Sequence, residues 1–423
     1  MKLRLLRRSG SSRPSARVVA FGSALLGAIA VSSFASCAEN VDEAPLPEDA
    51  ASAVPEASSP VHELEAGMPD AGCDASDPSC TAEVVPCEKV AWCLVPTDVS
   101  AADMLMAVWG MSKDDVWAVG SGGTILHYDG SIWKATPTGL QNTFHAVWGS
   151  GPDDVWVVSS TGVVLHGTGF VNGAASFTNV PTPISPGAQV IVRTVWGSSP
   201  NDVRLGGMTF SGLINGRLGR GDQFVKSTLP DGGTAWRPLA GTPLVTSIWG
   251  SSASDVWMAA DNSATNITTT HERGLTFHGS PADGGADANA GDPLTWTPVD
   301  AQSVNRLEAI WGTSANDVWA VGGQGTIRRI SAGDERWQKI ESPTKANLRA
   351  VWGSGPNDIW IVGDGGTILH FDGTKIEESS AQLPLGPRPS LRGVWGSSAN
   401  DVWIVGDRAT LHYTGPKSAM GGK

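Results

Sequence analysis

The chain has 423 residues, 40% hydrophobic and only 17% charged, with 52 Gly and 27 Pro, a balance that excludes a helical protein and suits many short strands joined by tight turns. Its formal charge is −13. Six of the 29 basic residues and no acidic residue precede Cys37, so the chain beyond that point carries 23 basic against 42 acidic residues. Such a surface repels phosphate backbones, and nucleic acid is not an expected partner.

Residues 1–37 read as an export signal. Lys2, Arg4, Arg7, Arg8, Arg13 and Arg17 precede an apolar run, Val18 to Val31, that is too short and too rich in small residues for a membrane span. The run ends in Phe34-Ala35-Ser36-Cys37. Small residues before a Cys resemble a bacterial lipobox, in which Cys37 becomes the lipidated mature N-terminus; Phe34 stands where Leu is usual. Ordinary cleavage or retention as a signal anchor is the alternative. The expected address is the cell envelope or outer membrane, or secretion, with membrane contact only through a lipid anchor.

Residues 38–79 are rich in Ala, Pro, Asp and Glu and are expected to form a disordered tether. A second stretch of that composition, about 281–293, is expected to be a disordered insertion within the folded region. Cys73, Cys80, Cys87 and Cys93 are spaced 7, 7 and 6 apart. In an exported chain these predict two disulfides, with connectivity open; a Cys₄ metal site is the alternative, but Cys-x₂-Cys pairs are lacking.

A repeat then takes over. Trp-Gly occurs at Trp109, Trp148, Trp196, Trp249, Trp311, Trp352 and Trp395, at intervals of 39, 48, 53, 62, 41 and 43 residues. Six residues after each Trp stands an Asp: Asp115, Asp154, Asp202, Asp255, Asp317, Asp358 and Asp401. Two further on comes a second Trp in six units, with Arg204 in the third. Within one unit, Leu348–Trp352, Ile359–Gly363 and Thr367–Phe371 read as strands separated by Gly-, Asn- and Asp-rich turns, with a fourth strand usually marked by a Trp. Four strands per 40 to 45 residues predict a seven-bladed β-propeller of four-stranded antiparallel blades over 80–415, followed by a short tail, 416–423. The seventh unit stops at Tyr413 without a fourth strand, while Val90-Ala91-Trp92-Cys93 before the first resembles one. The N-terminal segment is therefore predicted to complete the last blade and leave no unpaired edge, with a disulfide at Cys93 reinforcing the closure.

The repeat, Trp-Gly-Ser-Ser-x-Asn-Asp-Val-Trp-x-Val-Gly-x-x-Gly-Thr-Ile-Leu-His-Tyr-Asp-Gly, resembles those of bacterial exported propellers. These are grouped with sialidase-type Asp-box (BNR) repeats and with the propellers of photosystem II assembly factors. The Asp-box pattern Ser-x-Asp-x-Gly-x-x-Trp is not faithfully present. Sialidase chemistry would also require a Tyr nucleophile, a Glu partner, an acid/base Asp and three Arg. The two tyrosines, Tyr128 and Tyr413, stand in a strand slot that Phe371 fills without a hydroxyl.

An Asp present in every copy serves the copy, so the seven Asp residues are read as turn caps and not as metal ligands. His127, His166, His278, His370 and His412 share one slot, held by Arg329 in the fifth unit. They predict a His–Asp–Trp network within each blade, with catalysis or metal binding as the alternative. Arg204 marks a divergent blade rather than a site. Three residues before each Trp-Gly the units disagree: Met106, His145, Arg193, Thr246, Glu308, Arg349 and Arg392. A variable slot at the start of the innermost strand is expected at the mouth of the central channel. There His145, Arg193, Arg349 and Arg392 could receive an anion; alternatively they are rim charges paired with Glu308 and its neighbours. The expected function is a monomeric binding or scaffolding propeller that contacts a protein or glycan through one face. No catalysis, cofactor or metal is expected. The competing reading is a glycan-active hydrolase with two carboxylates at the channel mouth.

Overall fold

Each repeat alternates β-branched residues and Trp between turns that Gly, Asn and Asp favour, and each folds as an antiparallel meander. The computed structural model describes residues 85–97, 99–100, 103–182, 189–210, 220–228, 233–239, 243–261, 274–281, 292–413 and 415. Within them 28 strands form seven four-stranded sheets. Blade 6 is typical: Leu348–Gly355, Asp358–Gly363, Ile368–Phe371 and Ile376–Glu378 pair in sequence order. The first strands of successive blades neighbour one another around a closed ring, so they line the axis. Among the described residues no helix is long and apolar enough to cross a membrane. Cys37, residues 38–79, Cys73, Cys80 and residues 416–423 lie outside the described residues.

The seventh blade is composite. Trp92–Leu94 pairs antiparallel with Ala409–Tyr413, Trp92 opposite Tyr413. Trp92 is fully buried, edge-on to Trp360 at 4.8 Å. Cys87 and Cys93 are joined, with Cα atoms 5.2 Å apart. That bond staples a short turn ahead of the closing strand; the strand is tied to the ring by its ladder and by Trp92.

Two contacts recur between blades. The Trp of each Trp-Gly lies against the Gly of the next blade's Trp-Gly, Trp148 on Gly197 and Trp352 on Gly396 among them. A Cβ on any of these seven glycines would come within 2.6–3.2 Å of that indole, so the pair Trp-Gly is one residue that fills and one that makes room. Further out, the second-strand Trp meets an aromatic ring of the next blade's outer strand. Trp156 meets Trp236, Trp257 meets Trp337 and Trp403 meets Trp133, all edge-on at 5.1–5.5 Å. Blade 3 substitutes Arg204 here. Its guanidinium is fully buried, 3.0 Å from Asp292 and 5.9 Å from the Trp296 ring of blade 4. Asp292 also accepts from the Trp296 indole N–H at 2.8 Å. Both ends of the 281–293 stretch thus belong to blade 4: Pro281 ends its third strand and Asp292 precedes its fourth. Residues 282–291 lie outside the described residues.

Candidate functional site: the channel mouth

Every first strand carries two register shifts. The first falls between Leu105 and Ala107, Phe144 and Ala146, Val192 and Thr194, Val245 and Ser247, Leu307 and Ala309, Leu348 and Ala350, and Leu391 and Gly393. The extra residue at each is the variable one: Met106, His145, Arg193, Thr246, Glu308, Arg349, Arg392. A bulged residue is released from the ladder and its side chain re-aimed. The fold therefore spends one bulge per blade on presenting these seven residues near the axis.

The second shift follows the Trp-Gly and frees the residue after Gly, which in six blades is Ser or Thr. Its hydroxyl donates to the repeat Asp: Ser198 to Asp202 at 2.7 Å, Thr313 to Asp317 at 2.8 Å, and Ser354 to Asp358. The other carboxylate oxygen meets the histidine slot, as in His127–Asp115 at 2.8 Å, His166–Asp154 at 2.7 Å and His412–Asp401 at 2.6 Å, with Arg329–Asp317 at 2.6 Å in blade 5. The imidazoles of His166, His278, His370 and His412 stack on the second-strand Trp, His412 on Trp403 at 3.9 Å, whereas His127 is tilted against Trp117. Burial pushes the carboxyls of Asp154, Asp255, Asp358 and Asp401 up, but the His and Ser hydrogen bonds outweigh it and hold them below the ordinary value. These residues fasten individual blades and do not converge.

The bulge residues do converge, with partners from outside their own slot. Arg349 donates to both oxygens of Asp364, at 2.9 and 2.7 Å, and lies 3.5 Å from Glu308. Arg392 forks onto Asp407 at 2.7 and 3.3 Å. Arg306 approaches Glu308 at 3.3 Å and Asp261 at 3.6 Å. Burial raises the Asp364 carboxyl, yet the bonds from Arg349 and Asn347 prevail and its net shift is downward. Thr246 donates to the Leu307 carbonyl at 2.9 Å.

Arg193 is different. It makes no hydrogen bond or ion pair with any described residue, and its Nε is buried without an acceptor. Burial depresses its pKa, with Arg306 adding to the effect and Glu308 and Asp261 opposing it. His145 is bulged in the adjoining blade and its Nε2 is likewise buried and unpartnered. Burial first, then Arg193 and Arg392, bring its pKa down to about 4, so it is neutral at pH 7.

The reason lies in a second repeat slot. Fifteen residues after the bulge, where the second strand ends, blades 6 and 7 carry Asp364 and Asp407. Blade 3 carries Met208, which is buried. Arg193 occupies the same bulge as Arg349 and Arg392 but lacks their carboxylate. The five ionisable bulge residues thus divide: Arg349, Arg392 and Glu308 are rim charges in ion pairs, whereas Arg193 and His145 are left with unused donors.

The tyrosines lie elsewhere. Tyr413 packs on Trp92 and Trp360, and Tyr128 on Trp133 and Trp403; burial raises both phenol pKa values. A groove of about 360 Å³ beside the closing strand is lined by Leu94, Val95, Leu105 and Thr410, and its charged members Asp103 and Arg408 are bonded to Ser121 and to the Pro387 carbonyl. Among the described residues no group of three or more His, Cys, Asp or Glu could hold a metal ion.

The architecture defines a seven-bladed propeller closed by an N-terminal strand, with a charged mouth at its axis. Solved propellers share this fold. YCF48 bound to D1 peptide matches with a TM-score of 0.54 at 14% identity, over 78% of this chain and 96% of that one. YCF48 from Cyanidioschyzon merolae matches with 0.53 at 18%, over 76% and 98%. The WD40 β-propeller domain of Doa1 matches with 0.54 at 12%, over 76% and 96%. At these identities the likeness is one of fold. No family model matches the chain, and no curated protein matches it in sequence.

Proposed function

We propose that this protein is a non-catalytic binding propeller, held at the cell envelope through a lipidated Cys37, that engages a protein partner with its channel-mouth face. The observation that carries this reading is the contrast within each first strand: seven equivalent bulges present five residue types, on a frame whose Trp, Gly and Asp are invariant or nearly so. A frame that repeats while one slot diverges is what recognition of an asymmetric ligand requires. One structural neighbour, YCF48, is solved with D1 peptide bound, so a disc of this fold can hold a peptide. Asp261, Glu308, Asp364 and Asp407 favour binding over hydrolysis, because each is engaged by a guanidinium.

The test is peptide display against the purified full chain, run beside a glycan array and glycoside hydrolysis assays. Recovered peptides are mapped with Glu308→Lys at the mouth and Lys113→Glu on an exposed turn elsewhere. Peptides that lose binding with Glu308→Lys and keep it with Lys113→Glu support the reading. Failure to recover any peptide, or turnover of a glycoside that Glu308→Lys abolishes, overturns it.

A further inference from the structure

Among the described residues, three of the four guanidinium groups at the mouth are ion-paired: Arg306 with Asp261 and Glu308, although its Nε and Nη2 lack a hydrogen-bond acceptor, Arg349 with Asp364 and Glu308, and Arg392 with Asp407. Arg193 is the exception, and the adjoining blade sets His145 beside it with a second buried nitrogen lacking a partner. A buried donor without an acceptor is costly, and a charged one more so. The charge left unpaired amounts to one cation, Arg193, with one neutral donor, His145, beside it. It matches a group with a single negative charge and two acceptor oxygens; a phosphate dianion would call for further cations, which the neighbouring acids already hold.

We propose that Arg193 and His145 form a subsite for a carboxylate of a bound peptide, its chain terminus or an acidic side chain. The Arg193 Nε–H and the His145 Nε2–H donate to the two oxygens, with the neutral imidazole carrying its proton on Nε2. The proposal rests on the binding function above and narrows it to the group that is recognised. Met208 is what keeps the subsite open: it denies Arg193 the intramolecular carboxylate that closes the equivalent places in blades 6 and 7.

The experiment follows arginine side-chain ¹⁵Nε resonances of the full chain. The probes are N-acetylalanine, which offers a chain-terminal carboxylate, N-acetylglutamate amide, which offers a side-chain carboxylate, and N-acetylalanine methyl ester as the neutral control. One resonance, assigned by its loss in Arg193→Gln, is expected to shift saturably with one or both carboxylates and not with the ester. In Met208→Asp that resonance should already be displaced, and the response to carboxylate at least tenfold weaker, because the new Asp occupies the fork. Should Met208→Asp fail to fold, His145→Phe serves in its place and should weaken the response several-fold. A resonance indifferent to both carboxylates, or equally responsive to the ester, overturns the proposal. Peptides captured at the mouth with no response at Arg193 would refute the subsite and leave the binding face standing; a carboxylate response with no peptide captured would do the reverse.

Discussion

Trp395 of the seventh blade rests on Gly110 of the first, with indole carbons 2.8 and 2.9 Å from where a Gly110 Cβ would stand. It is the same contact that joins every other pair of neighbouring blades, made here across the closure of the ring. The spacing of the Trp-Gly pairs reveals blade number; this contact reveals why the two residues are adjacent.

Gly110→Ala, whose methyl would meet both this indole and the Asp115 carbonyl at 2.6 Å, should therefore destabilise the protein by about 1–3 kcal/mol, the usual cost of overpacking. Gly355→Ala is the control, since nothing lies within 4 Å of its added methyl. Thermal denaturation of the two variants checks this. Equal melting temperatures would show that the inter-blade contact is slack.

Removing Trp92 should cost more than cutting the neighbouring disulfide. Trp92→Ala deletes a fully buried ring that packs on Trp360 and Tyr413, and about 3–5 kcal/mol is expected. Cys87→Ser with Cys93→Ser opens only a six-residue separation and should cost about 2 kcal/mol. Denaturant unfolding ranks the two, and the opposite order would assign the closure to the disulfide.

In blade 3, Asp292→Ala should cost about 3–5 kcal/mol, because it strips the buried Arg204 guanidinium of its shorter ion pair and leaves Asp202 at 3.4 Å. The double variant Arg204→Met with Asp292→Leu should recover at least half the loss. A double variant no better than the single one would mean that packing, not charge, holds this interface.

His370→Phe removes the 2.6 Å bond to Asp358 while keeping a ring on Trp360, and should cost about 1–2 kcal/mol at pH 7. The pH dependence has a definite sign. Asp154, Asp255, Asp358 and Asp401 have folded-state values below 3.8, so their contribution is fully present above 3.8 and is lost as pH falls through the lowered values. The gap between wild type and His370→Phe should accordingly narrow as the pH drops below about 4. Urea midpoints between pH 6 and pH 3 measure it; a constant gap would dissociate His370 from the Asp358 carboxyl.

Blade number, strand order and the closing strand are readable from the sequence because each rests on a short-range pattern repeated seven times. The bulge slot is readable as the place where the repeats disagree. Its pairings are harder. Asp364 and Asp407 are visible fifteen positions on, but only two slots compared together across all blades show that Met208 breaks the match and leaves Arg193 unpaired. Arg204 with Asp292 is beyond reach: the partners lie 88 residues apart, and Asp292 sits at the edge of a polar, low-complexity stretch that gives no sign of burial. Which aromatic ring meets which across blades is equally hidden, since that order is set by the ring's curvature and not by spacing along the chain.

The composite seventh blade also dictates an order of events in synthesis. Trp92 emerges among the first residues of the propeller, yet its ladder partner Tyr413 is among the last. Until Tyr413 is made, Trp92–Leu94 lacks its antiparallel ladder and has only the bridge to Ala381 and the bonds to Gln382 beside it, and the last blade has no outer edge. Six blades can assemble one after another as the chain lengthens, but the disc cannot shut. Closure is thus a single late step with the longest loop to draw in, and a chain halted before Tyr413 should present an open crescent whose closing strand lacks its ladder partner. A protein built this way couples completion to quality: only a molecule synthesised through Tyr413 gives Trp92 its ladder and the last of its ring contacts.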